Sequence, residues 1–299
     1  MARVIPEIPK TSLGEGPLWD GDALIYVDIV AGLIHRHSFE EGTHETIAVG
    51  ENVGFAVLDR QGAVVAGVGN GSICRFRFGS EGRETLAPPA RDLAENLAND
   101  GKCDRRGRLW AGTKSREGSA VDTGYLARLD AERGLQKEWL HPVHISNGLA
   151  WSPDNTKMYY NDSTDRIWVF DYEMESGTIA NRRVFAKLAA DGAVPDGMTI
   201  DSAGALYVAM WGGSRVDVYR DVDGVGVRTG SIEFPTALQV TSVAFGGSDM
   251  RTLFVTSASV GLTPAEMERY PDSGRIFAVE MAVAGLAETC FEDAAQGGR

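Results

Sequence analysis

The stretch Ser146-Asn147-Gly148-Leu149-Ala150-Trp151-Ser152-Pro153-Asp154 decides the reading of this chain. A polar residue, Asn147, precedes a short apolar run, Leu149 to Trp151. Ser152-Pro153-Asp154-Asn155 then reads as a turn, because proline presets φ and Asp and Asn tolerate turn geometry. Lys157-Met158-Tyr159-Tyr160-Asn161 follows as a second strand. The unit is thus a polar residue, a short strand, a tight turn and another strand.

The unit recurs at a fixed offset. Glu15 precedes the turn at Asp20, Gly54 that at Asp59, Asn99 that at Asp104, Asp196 that at Asp201 and Thr241 that at Gly246. With Asn147 these make six units, at steps of 39, 45, 48, 49 and 45 residues. Further strand-like runs follow in most units, such as Ile167–Phe170 and Val216–Tyr219. Four short strands at a period of about 45 residues fit a β-propeller blade, whereas a β-sandwich has no such period. The expectation is an all-β, six-bladed β-propeller with four-stranded blades, residues 1–299 forming one domain. The segment Val4–Ile8 is expected to lend an outer strand to the last blade. Blade six is expected to end near Gly285–Phe291, with the tail 292–299 loose. Gly261–Ser273 reads as an insertion with a helix-like core.

Bulk properties exclude several functions. The 299 residues carry a formal net charge of -13 and no basic stripe, which argues against a nucleic-acid partner. No apolar run approaches the ~20 residues of a membrane-spanning helix, and the start of the chain lacks a signal-peptide core. Cys74, Cys103 and Cys290 are too widely spaced for a zinc motif or a disulfide framework. A cytoplasmic, monomeric protein is expected. There is no Gly-x-Ser-x-Gly elbow and no phosphate-binding P-loop.

In a propeller, equivalent positions of the inner strands meet around one axis. Glu15, Gly54, Asn99, Asn147, Asp196 and Thr241 are therefore expected at one mouth of the central channel. Buried carboxylates are costly unless compensated, and a cation is the usual compensation. Glu15 and Asp196 balance a divalent ion and Asn147 adds a neutral oxygen. These hard donors suit one divalent cation, with Ca²⁺ or Zn²⁺ placed ahead of Mg²⁺, Mn²⁺ and Fe²⁺, and three protein ligands leave room for water and substrate.

Aligned this way, the chain resembles the gluconolactonase, regucalcin (senescence marker protein) and luciferin-regenerating-enzyme family. The resemblance rests on Leu13-Gly14-Glu15-Gly16-Pro17-Leu18-Trp19, Asn99-Asp100-Gly101-Lys102, Ser146-Asn147-Gly148-Leu149, Asn181-Arg182-Arg183, Pro195-Asp196-Gly197-Met198 and Phe245-Gly246-Gly247, in order along nearly the whole chain. It implies a six-bladed propeller with metal ligands Glu15, Asn147 and Asp196. It also implies Asn99 and the lid residue Glu117 as substrate contacts and a small-molecule lactone as substrate; Asp196, with a second carboxylate oxygen free to accept a proton, is expected as the catalytic base. One position departs: the animal-type sugar lactonases carry arginine where this chain has Leu97. That departure keeps two alternatives open, a related hydrolase of non-sugar lactones, esters or phosphotriesters, and a non-catalytic metal-binding propeller. His144 and Lys114 sit beside the motifs, where they are expected to face solvent, with help in reading the substrate as the alternative, and His35 and His37 are expected to form a surface pair on an outer strand, with no third ligand near. Asp28 is expected in turn hydrogen bonds, the tryptophans between blades, and Trp211 either there or at the pocket edge.

Overall fold

The protein is described from a computed structural model, in which residues 2–116 and 122–292 are placed. The candidate lid residue Glu117 and residues 293–299 of the tail lie outside the described residues.

Six four-stranded sheets form, each with its strands in consecutive order. Blade one contains β2 (Gly14–Trp19), β3 (Ala23–Asp28), β4 (Leu33–Ser38) and β5 (His44–Ala48). Blade two contains β6 (Val53–Leu58), β7 (Val64–Val68), β8 (Ser72–Phe76) and β9 (Glu84–Ala87). Blade three contains β10 (Asn96–Cys103), β11 (Leu109–Ser115), β12 (Gly124–Asp130) and β13 (Leu135–Val143). Blade four contains β14 (Leu149–Trp151), β15 (Lys157–Asn161), β16 (Arg166–Glu173) and β17 (Thr178–Lys187). Blade five contains β18 (Val194–Ile200), β19 (Leu206–Trp211), β20 (Arg215–Val222) and β21 (Val225–Glu233). Blade six is built from β22 (Gln239–Gly246), β23 (Thr252–Ala258) and β24 (Phe277–Glu280), with β1 (Arg3–Val4) as its outer strand. The ring is thus closed by both ends of the chain, as expected. Arg3 pairs with Ala278 and Val4 with Phe277, and Ile5 and Ile8 are fully buried behind the join.

The apolar core lies between blades. Leu18, Ile25 and Val27 of blade one pack with Val53, Ala56 and Val64 of blade two. Trp110 of blade three meets Leu149, Trp151 and Tyr160 of blade four, and Trp19 stacks on Phe254 of blade six. Trp168 differs, lying between the guanidinium groups of Arg166 and Arg182.

Two expectations need correction. Blade six does not run on to Gly285–Phe291. After Glu280 the chain crosses the far end of the channel instead, bonding Gly285 N to Met250 O, Phe291 N to Leu58 O and Glu292 N to Gly107 O. This strap ties blades two, three and six together. His35 and His37 are not a surface pair, since both are buried. Register places His44 opposite His37, and the turn between β4 and β5 folds it back onto His35. A His35 Nδ1–His44 Nε2 contact of 3.1 Å results, and burial pushes the His35 imidazole down to about 4. The insertion does carry the expected short helix, α1 (Pro264–Arg269), opened by a Thr263/Glu266 capping box. Among the described residues no helix is long and apolar enough to cross a membrane.

Candidate functional site

The six equivalent positions coincide with a recurring irregularity. The inner strand slips register beside Glu15, Gly54, Asn99, Asp196 and Thr241. In blade four β14 begins only at Leu149, and Asn147 is held by its N–H to Asn161 O at 2.9 Å. A β-bulge leaves a residue unpaired and re-aims its side chain. Repeated around the axis, it turns the side chains of Glu15, Asn99, Asn147 and Asp196 toward the channel mouth. Close approach of the strands requires glycine next to these residues. A Cβ on Gly148 would lie 2.6 Å from the Asp196 carbonyl oxygen, and Gly16 sits at φ +50°.

A cavity of about 390 Å³ opens there. Its polar lining comprises Glu15, Asn99, Lys114, His144, Asn147, Ser163 and Asp196, and its apolar lining comprises Leu13, Ile29, Ile145, Val194 and Trp211. Glu15, Asn99, Asn147 and Asp196 are all buried. The structure thus brings Glu15, Asn99, Asn147 and Asp196 together at one cavity. Gly54 and Thr241 do not join them. Gly54 has no side chain, and Thr241 donates to Gly14 O at 2.6 Å, a bond between blades. His144 and Lys114 line the cavity rather than facing bulk solvent, and His144 Nδ1 lies 2.6 Å from Asp122 Oδ1 at the rim. Trp211 edges the pocket, and Asp28 accepts from Ser12 N and Leu13 N of the segment beside it and from Ala31 N in the following turn.

A hydrogen-bonded chain fixes the amides. Asn99 Nδ2 donates to Ser146 O at 2.8 Å and to Asn147 Oδ1 at 2.9 Å. Asn147 Nδ2 donates to Ser163 Oγ at 2.7 Å, whose hydroxyl donates to Pro195 O at 2.9 Å. Asn161 Nδ2 holds the Asp196 carbonyl at 2.7 Å. Both Asn99 amide hydrogens are therefore spent, so Asn99 presents only an acceptor to the cavity. Ser163 and Asn161 escaped the sequence reading because they act from the end of the second strand of blade four, outside the aligned position.

The electrostatics are those of a carboxylate pair short of positive charge. Burial pushes the Asp196 carboxyl up to about 8, and Asp100 behind it adds to the rise. Burial raises Glu15 strongly as well, followed by repulsion from Asp196 and Asp100. Lys114 opposes the rise at both. Two like charges held this close do not both ionise without a counter-ion. A divalent cation fits the donor set, with two carboxylates to match its charge, hard oxygens throughout, and the Asn147 carboxamide fixed in orientation. Among the described residues no group of three or more His, Cys, Asp or Glu side chains is arranged to hold a metal. The candidate set is two carboxylates and an amide.

Comparison with known proteins agrees with this architecture. The SMP-30/Gluconolactonase/LRE-like region family pattern matches residues 13–259. Regucalcin of Pongo abelii is 34% identical over 292 residues, covering 95% of this chain and 95% of regucalcin. A luciferin-regenerating enzyme structure superposes with a TM-score of 0.90 at 30% identity, covering 98% of this chain and 99% of that one. A calcium-binding protein, regucalcin from Agrobacterium tumefaciens, superposes with a TM-score of 0.89 at 25% identity, covering 98% and 97%. The fold, the order of the site residues and these matches together place the chain in the SMP-30/gluconolactonase/luciferin-regenerating-enzyme family.

Proposed function

We propose that this protein is a metal-dependent hydrolase that opens a lactone ring, a sugar lactone being the substrate class, to give the hydroxy acid. The observation that carries the reading is the buried Glu15–Asp196 carboxylate pair beside two oriented carboxamides, in a cavity of about 390 Å³. The family pattern bears the name gluconolactonase, and the neighbour named as calcium-binding supports a divalent cation as cofactor.

Glu15, Asn147 and Asp196 would hold the cation. When bound it supplies Lewis-acid polarisation of the lactone carbonyl and offsets charge as the carbonyl oxygen becomes anionic. The protein's own groups do the rest. Asn99 accepts a hydrogen bond from the attacking water through Oδ1, since its N–H groups are engaged. Asp196 takes the proton of that water as the new C–O bond forms. It returns the proton to the ring oxygen as the acyl C–O bond breaks, so the carboxylate is regenerated. Leu13, Ile29, Ile145 and Val194 keep the surroundings apolar, which strengthens each of these interactions.

The test is a metal-stripped protein assayed on aldonolactones with each divalent cation added back, alongside Asp196→Ala. Loss of both cation binding and turnover in the variant is expected. Full lactonase activity in Asp196→Ala would overturn the reading.

A further inference from the structure

We infer that the lactone carries a second, anionic group, a carboxylate or a phosphate, and that Lys114 is the residue that reads it. The inference rests on the lactonase reading and deepens it.

Lys114 is placed by two neighbours. On β11 it lies directly opposite Leu97 of β10, and its backbone bridges to Ile145 of the next blade. Residues directly opposite in an antiparallel pair share a face of the sheet. Leu97 and Lys114 therefore project the same way, and at position 97 the side chain is neutral. The cation on this face stands one strand further out, on Lys114, which lines the cavity together with Asn99, Asn147, Glu15 and Asp196.

A bound divalent cation would draw on the two carboxylates, Asp196 and Glu15, that otherwise support the Lys114 charge. A divalent cation matches Glu15 and Asp196 one for one. Among the described residues Lys114 forms no ion pair within 4.0 Å. The other charges nearby are committed elsewhere. His144 pairs with Asp122 at the rim and Lys102 pairs with Glu288, while Asp100, which acts on Glu15 and Asp196 from behind, lines the separate cavity of about 360 Å³ rather than this one. Lys114 is thus a half-buried ammonium with no ion-pair partner among the described residues, in surroundings that include Ile145, Val194 and Trp211. A desolvated charge of this kind is costly until paired, and an anion on the ligand pairs it. An ammonium is a compact point charge with three donors and accepts carboxylate or phosphate alike. A neutral sugar lactone supplies no such group.

Titration calorimetry on Ca²⁺-loaded protein separates the possibilities, using three ring-opened products: an aldonate, an aldarate with a second carboxylate, and a 6-phosphoaldonate. The aldarate or the phosphoaldonate is expected to bind about tenfold or more tightly than the aldonate, in keeping with close charge pairs at recognition surfaces, and the tighter of the two identifies the anion. Lys114→Met is expected to erase that preference and Lys114→Arg to retain much of it. Ca²⁺ affinity of Lys114→Met, measured by chelator competition, is expected to be undiminished, which shows an intact site. Equal binding of all three products by the wild type, or a preference that survives in Lys114→Met, overturns the inference. Absence of ring opening with every lactone would instead count against the lactonase reading, and the product-binding comparison would still decide the role of Lys114.

Discussion

Asn99 Nδ2 donates to Asn147 Oδ1 at 2.9 Å, joining blades three and four across the channel mouth. The bond orients the carboxamide proposed as the neutral ligand. Groups that orient a ligand from behind typically contribute 10–100-fold to metal affinity. Asn99→Ala is therefore expected to weaken divalent-cation binding by about tenfold, although Asn99 is not itself placed among the ligands. Competition with a fluorescent chelator measures it. Unchanged affinity would separate Asn99 from the metal and leave it a substrate contact alone.

Stability of the metal-free protein should fall as pH rises. The folded Asp196 carboxyl sits at about 8, above the ~3.9 of an unfolded aspartate. A carboxyl raised on folding contributes fully below its unfolded value, and that contribution is lost as pH climbs through the folded value. The window is thus between about pH 4 and about pH 8. A bound cation stabilises the ionised pair and removes the loss. Calorimetric scans with Ca²⁺ and with chelator are expected to give Tm values that diverge from pH 5 to pH 8. Parallel curves would contradict the picture.

Glu15→Gln should separate stability from binding. Without metal it removes a costly buried acid, pushed up first by burial and then by the charge of Asp196. A Tm at pH 8 above that of the metal-free wild type is expected, equivalent to about 1 kcal/mol or more, together with loss of the cation-induced shift. A lower Tm combined with retained cation binding would remove Glu15 from the ligand set.

Gly148→Ala tests how tightly the inner strands pack. The added Cβ would stand 2.6 Å from Asp196 O and 2.8 Å from Met198 N. Backbone cannot yield as a flexible side chain does, so a loss of about 1–3 kcal/mol in urea unfolding is expected, with weaker cation binding because Asp196 is displaced. A silent substitution would show that the neighbouring blades can part.

Ring closure by the start of the chain carries its own expectation. Ile8 is fully buried against blade six and β3. Ile8→Ala should cost about 2–5 kcal/mol and sharply lower the denaturant midpoint without altering the site. A change below about 0.5 kcal/mol, the usual range for surface positions, would mean that β1 is dispensable to closure.

The sequence alone determined the six-fold repeat and the convergence of Glu15, Asn99, Asn147 and Asp196, because a propeller maps equal offsets onto equal positions around one axis; it foresaw closure of the last blade by the segment before the first unit but set the strand at Val4–Ile8, where Arg3–Val4 pairs. It could not show that each of these positions is a bulge or its equivalent, since the register of a pair is a property of two strands. It left Lys114 and His144 between solvent and the site, and misjudged His35 and His37, because burial is imposed by neighbouring strands and blades. It missed Ser163 and Asn161, whose bonds to Asn147 and to the Asp196 carbonyl join parts of the chain with no local pattern in common. Only the tertiary structure decided the charge balance of the cavity, because burial and the distance between charges, rather than residue identity, set how strongly Glu15, Asp196 and Lys114 interact.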